Sequence, residues 1–431
     1  MGCPTIPVPT TLKTALEFTG ALGQGNLKGR VGKQLEKRIS EYSDKLVVAS
    51  NFRSTLDNLK QLREKLDKKH STFGSYSNLQ SQTVECLADT VADCFPKLYC
   101  TLYYFNFNVS VDAYDAGEWK NQSCSSGNLQ NWLKGNSEIP SASGPSSQAK
   151  LWSGGFHGGD IKCRSATEFS SEMGTCVEDN GSKFPMLLSG ILFLKPSLPE
   201  LTSTFLVLVK EICIIVCGEG IELEEEREDD YGESRKTLQK KFKSVYGSVP
   251  DYASLKLCCS SVKSSIEKLI GKEPGGDNGA LRIPNSSRRM YMKKLQSKNF
   301  PKYLQWLSQN LERLIENLKQ MKSDCQNWKP SDMSKGQAPG PFPYGFAFFQ
   351  SWNQGTAQTA LSALMGDENT NGLPALQGHV NKLLATSTSS SAGSIAGSLL
   401  GTAAVGGAGA AVAFNVGGVT TALKGAIGIF K

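Results

Sequence analysis

A chain of 431 residues with 39% hydrophobic and 20% charged positions can bury a core, and its length suits two or three domains. The net charge of +7 is modest and uneven: the first 70 residues carry 13 Lys/Arg against 7 Asp/Glu, and an acidic run at 219–230 opposes them. That pattern suits solvated helix faces and falls far short of a nucleic-acid footprint, so no nucleic-acid partner is expected.

Helical periodicity dominates from the start. Leu12 and Leu16, then Val31, Leu35 and Ile39, recur every four residues between Lys and Glu. Leu56, Leu59, Leu62 and Leu66 mark an amphipathic helix that should end near Lys69-His70. Val84, Leu87, Val91, Cys94 and Leu98 form a further stripe, which Pro96 should disturb. The aromatic segment LYYFNFNVSVDAYD fits either a strand or a helix end. The N-terminus MGCPTIPVPTTLK lacks the basic start and apolar run of a signal peptide. Gly2-Cys3 invites acylation, but Ile6 stands where the myristoylation pattern wants Ser or Thr.

From Gly117 to about Lys183 the sequence turns to Gly, Ser, Asn and Pro. It reads as long loop territory, with Trp119, Trp132 and Trp152 as anchors. The apolar stretch Phe184–Cys217 follows, broken by Pro196 and Pro199. Lys210 and Glu211 leave its second run too short and too charged to span a bilayer, which predicts a core helix. An acidic linker, 219–235, comes next. Leu304, Leu307, Leu311, Leu314, Leu318 and Met321, continued by Cys325 and Trp328, then alternate at spacings of three and four. That stripe predicts a long helix packed on a neighbour, as an intramolecular bundle helix rather than a dimer zipper. The helix should stop before Pro330, and PGPFPYGFAFFQSW reads as an aromatic, turn-rich strap.

Between Lys382 and Lys424 no residue is charged. A polar hinge at Ser387–Ser391 leads to Ile395–Ala413, 19 residues that can just cross the hydrocarbon core at about 1.5 Å each. Gly393, Gly397 and Gly401 stand four apart, offering a flat face for helix approach. Three readings stay open here: a membrane span, an internally packed Gly/Ala segment, and a cleaved lipid-anchor signal.

Twelve cysteines occur without a CxxC pair or a histidine at zinc spacing, so no metal site is expected. Either several pair in an oxidising compartment, or they pack as small hydrophobes in a reducing one. Cys124, Cys163 and Cys176 lie in polar sequence and are the disulfide candidates. Of three histidines, His70 and His379 read as solvated. Only His157, near Asp160 and Cys163 in GGFHGGDIKC, resembles a site, and a Gly-rich loop does not promise the fixed geometry that a nucleophilic pair needs. Phosphate-cradling, dinucleotide, metalloprotease and serine-hydrolase motifs are all missing, so neither an enzyme nor a cofactor is expected. Arg288, Arg289, Lys293 and Lys294 form a small basic patch read as an exposed helix start. Sequons stand at Asn108, Asn121, Asn180 and Asn285.

Several stretches together resemble the variant erythrocyte surface antigens of Babesia-type piroplasms and their related secreted antigens. They are LKTALEFTGALG with RVGKQLEKRISEY, LADTVADCFPKLYCTLYYFNF, GEWKNQSC with GNLQNWL, YLQWLSQNLERLIENLKQMKSDCQNW, GPFPYGFAF, and the tail AFNVGGVTTALKGAIGIFK. The resemblance runs in family order along nearly the whole chain. It implies an antigen displayed on the infected red cell or secreted, acting in adhesion and immune evasion, with no catalytic residues to carry over. Its expected partners are a host-cell surface or matrix component, a partner antigen subunit, and the membrane through the tail.

The reading is therefore mainly α. It comprises an N-terminal helical region (1–116), a Cys/Gly/Ser-rich loop region (117–183), a helical core (184–386), and a hinge with a membrane-seeking tail (387–431). It describes a multi-helix bundle ectodomain ending in a membrane-type helix. The rival is an intracellular helical scaffold with reduced cysteines and an internally packed tail.

Overall fold

In the computed structural model the described residues are 6–43, 46–109, 132–133, 151–157, 160–162, 173–177, 183–219, 221, 233–272, 279–283, 295–328, 340–346, 354–366 and 371–389. They are mainly helical. Among them, β pairing is limited to two isolated bridges, Thr11 with Ser153 and Asp67 with Ile161.

The first helix, α1 (Leu12–Leu22), starts with a reciprocal cap. Thr14 N–H donates to the Thr11 hydroxyl at 3.1 Å, and Thr11 N–H donates to the Thr14 hydroxyl at 3.0 Å. Helix α2 (Leu27–Ile39) buries Val31, Leu35 and Ile39, and α3 (Val48–Leu66) buries Leu56, Leu59, Leu62 and Leu66, as their spacing predicts. Helix α3 stops at Leu66 rather than near His70, because Asp67 leaves the helix to pair with Ile161.

Helix α4 (Val84–Val109) differs from expectation. It continues through Pro96 and takes in the first part of the aromatic segment. Tertiary contacts supply the reason: Phe95 lies 5.7 Å from Phe52 and 5.6 Å from Phe184, and Tyr99 lies 5.2 Å from Phe184. Such ring packing on both sides of the proline offsets the one ladder bond it removes. Helix α5 (Phe184–Leu194) opens with Pro185 in its first turn and packs on α2, α3 and α4.

Helix α6 (Thr202–Cys217) is buried along its whole length, the core helix that its apolar sequence predicts. Its two charges are partnered. Glu211 accepts both Arg235 Nε at 3.0 Å and Arg235 Nη2 at 2.9 Å. Lys210 donates to Gly271 O at 3.1 Å, at the C-terminal end of a neighbouring helix where carbonyls lack intrahelical partners. Around α6 stand α7 (Arg235–Tyr246), α8 (Tyr252–Ile270) and α9 (Phe300–Asp324). Helices α10 (Gln354–Leu364) and α11 (Leu373–Ser389) cover α8 and α9.

The stripe on α9 is buried as expected: Leu304, Leu307, Leu311, Leu314, Leu318 and Met321 are all buried, and α9 packs on α6, α10 and α11 of the same chain. Helix α9 ends at Asp324, yet Cys325 and Trp328 remain buried beyond it. The strap after it folds back: Phe342 packs against Tyr104 at 5.6 Å, and Tyr344 donates to Asp324 Oδ2 at 2.6 Å. Helix α11 extends through Ser389, so the start of the expected polar hinge is helical. Residues 390–431, with Ile395, Gly397, Gly401 and Ala413 of the expected membrane helix, lie outside the described residues. No helix among the described residues is long and apolar enough to cross a membrane.

Candidate functional site

The loop region is where the sequence looked most site-like, and part of it is fixed on the helical body. Leu12 and Lys13, at the start of α1, donate their N–H groups to Ser153 O at 2.8 Å and Gly154 O at 2.9 Å. Those donors belong to the first turn, where a helix has no internal acceptor to offer, so an incoming strap satisfies them. Farther on, Lys68 N–H donates to Asp160 O at 2.7 Å, and Lys162 N–H to Leu66 O at 2.9 Å, at the opposite end of α3.

Two tryptophans hold this strap, as expected of Trp132 and Trp152. Both are buried; Trp132 Nε1 donates to Trp152 O at 3.1 Å, and Gly154 and Phe156 donate to the carbonyls of Trp132 and Leu133. Two glycines of the GGFHGG stretch, Gly154 and Gly155, gain a structural meaning here. Gly154 passes directly over the Leu133 backbone, and Gly155 adopts φ +72° with the place of a Cβ only 2.6 Å from Thr11 Cβ. A side chain at either position would collide. Trp119 lies outside the described residues.

The His157, Asp160 and Cys163 arrangement does not assemble as a catalytic group among the described residues. His157 is exposed, and its backbone carbonyl accepts Asp160 N–H at 2.9 Å. The Asp160 carboxylate is buried and pairs with Lys69 Nζ at 2.9 Å. That lysine holds it below the ordinary carboxylate range, against the opposing effect of burial. Cys163 lies outside the described residues. Beside the strap, Arg63 is buried between α1 and α3, with its guanidinium 5.1 Å from the centre of the Phe73 ring. Burial lowers its pKa, and Asp67, Glu17 and Glu64 counteract that.

The other histidines correct the solvated reading. His379 Nδ1 on α11 lies 2.9 Å from Asp251 Oδ2, the residue preceding α8. His70 is half-buried, with Nδ1 enclosed and unmatched. The His379 contact was not visible locally, since Asp251 and His379 are 128 residues apart.

The cysteines divide unevenly. Cys176, a disulfide candidate on the sequence, is a buried thiol on a short helical segment, Met173–Val177, in contrast to its expected loop setting. Its polar flanks hid a local apolar face formed by Met173, Cys176 and Val177, all buried. Cys124 and Cys163 lie outside the described residues. Cys86, on α4, is in a disulfide that sequence reasoning did not single out. Cys94, Cys100, Cys213, Cys217, Cys258, Cys259 and Cys325 are buried thiols. Burial pushes Cys94 up to about 12 and Cys217 to about 11, and raises Cys100, Cys258, Cys259 and Cys325 as well. Those thiols pack as small hydrophobes and are poor nucleophiles.

A groove of about 520 Å³ runs between α9 and α10, lined by Lys319, Lys322, Ser323, Gln326, Gln358 and Met365. Its polar groups are partly committed to each other's helices, since Lys322 donates to Ser362 Oγ at 2.8 Å. Among the described residues no three His, Cys, Asp or Glu side chains are grouped to hold a metal ion. The basic patch at 288–294 lies outside the described residues. Comparison with family models, with curated proteins and with solved structures finds no match to this chain.

Proposed function

We propose that the chain is a non-enzymatic variant surface or secreted antigen of a red-cell parasite, acting in host-cell or matrix adhesion and immune evasion. The observation that carries this reading is the strap: residues 151–157 and 160–162 are sewn by backbone hydrogen bonds to the start of α1 and the end of α3. A loop-rich region tied at several points to a rigid helical body is a common way to present variable sequence without disturbing the core. The resemblance along the chain supplies the antigen class. The tail, 390–431, acts as a membrane anchor, with a host-surface or matrix ligand and a partner antigen subunit as the expected contacts.

Surface proteolysis of intact infected cells, followed by detection of the protein, tests the display. Cleavage within 117–183 on intact cells is expected; full protection of the chain, with cleavage only after lysis, overturns the proposal. A hydrolase or transferase activity that His157→Ala abolishes would overturn its non-enzymatic part.

The second reading is an intracellular scaffold, favoured by the buried thiols of α6 and α8. Thiol counting on non-reduced protein separates the two. Twelve reactive thiols after unfolding support the scaffold, and fewer support the antigen.

A further inference from the structure

Helices α6 and α8 run antiparallel, and side-chain bonds fix their register at both ends. At one end Lys210 of α6 donates to Gly271 O at 3.1 Å, just past α8. At the other, Tyr252 Oη at the start of α8 lies 3.4 Å from Val216 O. Glu219, just beyond α6, accepts from Ser260 Oγ at 2.5 Å and Lys263 Nζ at 3.2 Å. Between these ties Cys213 of α6 and Cys259 of α8 are both buried in the helix interface, away from solvent and near enough for each sulfur to act on the other's charge.

Two further thiols border this pair, and each points elsewhere. Cys258 Sγ donates to Gly372 O at 3.7 Å, towards α11. Cys217 Sγ donates to Ile214 O at 3.9 Å, within its own helix. Cys213 and Cys259, one on each helix, are the pair that sits between the register ties.

We propose that Cys213 and Cys259 form a disulfide site, closing a covalent bond between α6 and α8 in an oxidising compartment and remaining thiols in a reducing one. The co-reactant is a small-molecule disulfide of the glutathione class. One cysteine thiolate attacks a sulfur of the oxidised tripeptide and expels one tripeptide thiolate, leaving a mixed disulfide. The second cysteine thiolate then attacks the protein-bound sulfur and expels the other. The two protons lost by the cysteines end on the released thiols; the protein pair is oxidised by two electrons and the small disulfide is reduced by two.

Burial keeps the Cys259 thiol well above its ordinary range, so the packed interface exchanges slowly. The bond therefore forms as the two helices dock, or when they part briefly. It encloses the 45 residues between positions 213 and 259, including the acidic linker. A loop of that length loses substantial entropy in the unfolded chain when it is closed.

The test uses the full chain in a glutathione redox buffer, with urea held just below the unfolding midpoint, followed by alkylation and tryptic digestion. The expected product joins peptide 211–227 to peptide 257–263. Because each peptide carries two cysteines, the link should survive in Cys217→Ser and in Cys258→Ser and vanish in Cys213→Ser. Oxidised wild type should melt higher than oxidised Cys213→Ser by on the order of 5 °C, a difference that a reductant cancels. Should the variants fold poorly, the wild-type digest decides alone. Helical, folded protein whose Cys213 and Cys259 are both alkylated, or each joined to other cysteines, overturns the proposal. A link that persists in Cys213→Ser does the same.

Discussion

Glu200 is a carboxyl group almost without water, at the turn that leads into α6. The Cys100 thiol of α4 reaches its backbone carbonyl at 3.8 Å, and Gly345 of the 340–346 segment lies against the same carbonyl. Burial pushes the Glu200 carboxyl up to about 7, with its own backbone N–H and the distant charge of Lys97 pulling it down only partly. The folded state therefore binds a proton that the unfolded chain has released. Its stabilising share is complete below the ordinary carboxylate value, near 4.5, and is lost as pH rises through about 7. Glu200→Gln keeps the shape without the charge. It should flatten the stability profile between these values and raise stability at pH 8 by on the order of 3 kcal/mol. Urea melts at pH 5 and pH 8 check this, and equal profiles for both proteins would refute it. Asp160 has the opposite sign. Lys69 holds it low, so its contribution is present above the ordinary carboxylate value and fades as pH falls through the depressed one.

At the scale of elements, buried charge and buried leucine make different demands. Glu211 is buried in α6 and held by both guanidinium donors of Arg235, at the start of α7. Arg235→Ala strands that carboxylate and should cost about 3–5 kcal/mol. Converting both Glu211 and Arg235 to Leu should cost far less, because no unpaired charge is left inside. A double-mutant cycle by denaturant melts checks the pair, and single-variant losses that add up to the loss in the double variant would mean that the pairing carries no weight. On α9, Leu311 and Leu314 have no exposure. Leu311→Ala should cost about 2–5 kcal/mol, read from the same melts; a negligible change would remove the stripe from the core.

These elements also show what could be read from the chain. The α9 stripe was legible because one face of a helix repeats every three to four residues, whatever it packs against. The core position of α6 followed from its apolar run. Its partners did not, since Arg235 stands 24 residues away and Gly271 stands 61 away. For α4, local rules opposed the outcome: a proline and an aromatic run argue for a break, and residues distant in sequence, Phe52 and Phe184 among them, pack on the helix through it. The strap was half legible. Its tryptophans announced anchoring, while the acceptors Ser153 and Asp160 found their donors on helix ends that no local pattern identifies.

At the scale of the molecule, the question is whether the helical body needs its tail. The described helices share one apolar core, to which α9 and α11 contribute. The chain beyond it has no charge until Lys424, and Gly and Ala supply most of Ile395–Ala413. Glycine and alanine gain little from hydrocarbon, so insertion of this stretch is marginal. Close helix pairing along Gly393, Gly397 and Gly401 is the interaction that would hold it there. Two consequences follow for a protein truncated after Ser389. Its melting temperature and helical signal should match those of the full chain, because the apolar core of the described helices draws on residues before the cut. It should also leave the membrane pellet and resist sedimentation, while the full chain survives carbonate extraction. Gly397→Leu with Gly401→Leu should strengthen insertion and weaken self-association, since larger side chains add apolar area and spoil the flat face. Fractionation with carbonate and high salt reads the first effect, and cross-linking in detergent reads the second. If instead the full chain is extracted by either treatment and the truncated protein melts lower, the tail is part of the core, and the membrane assignment is wrong.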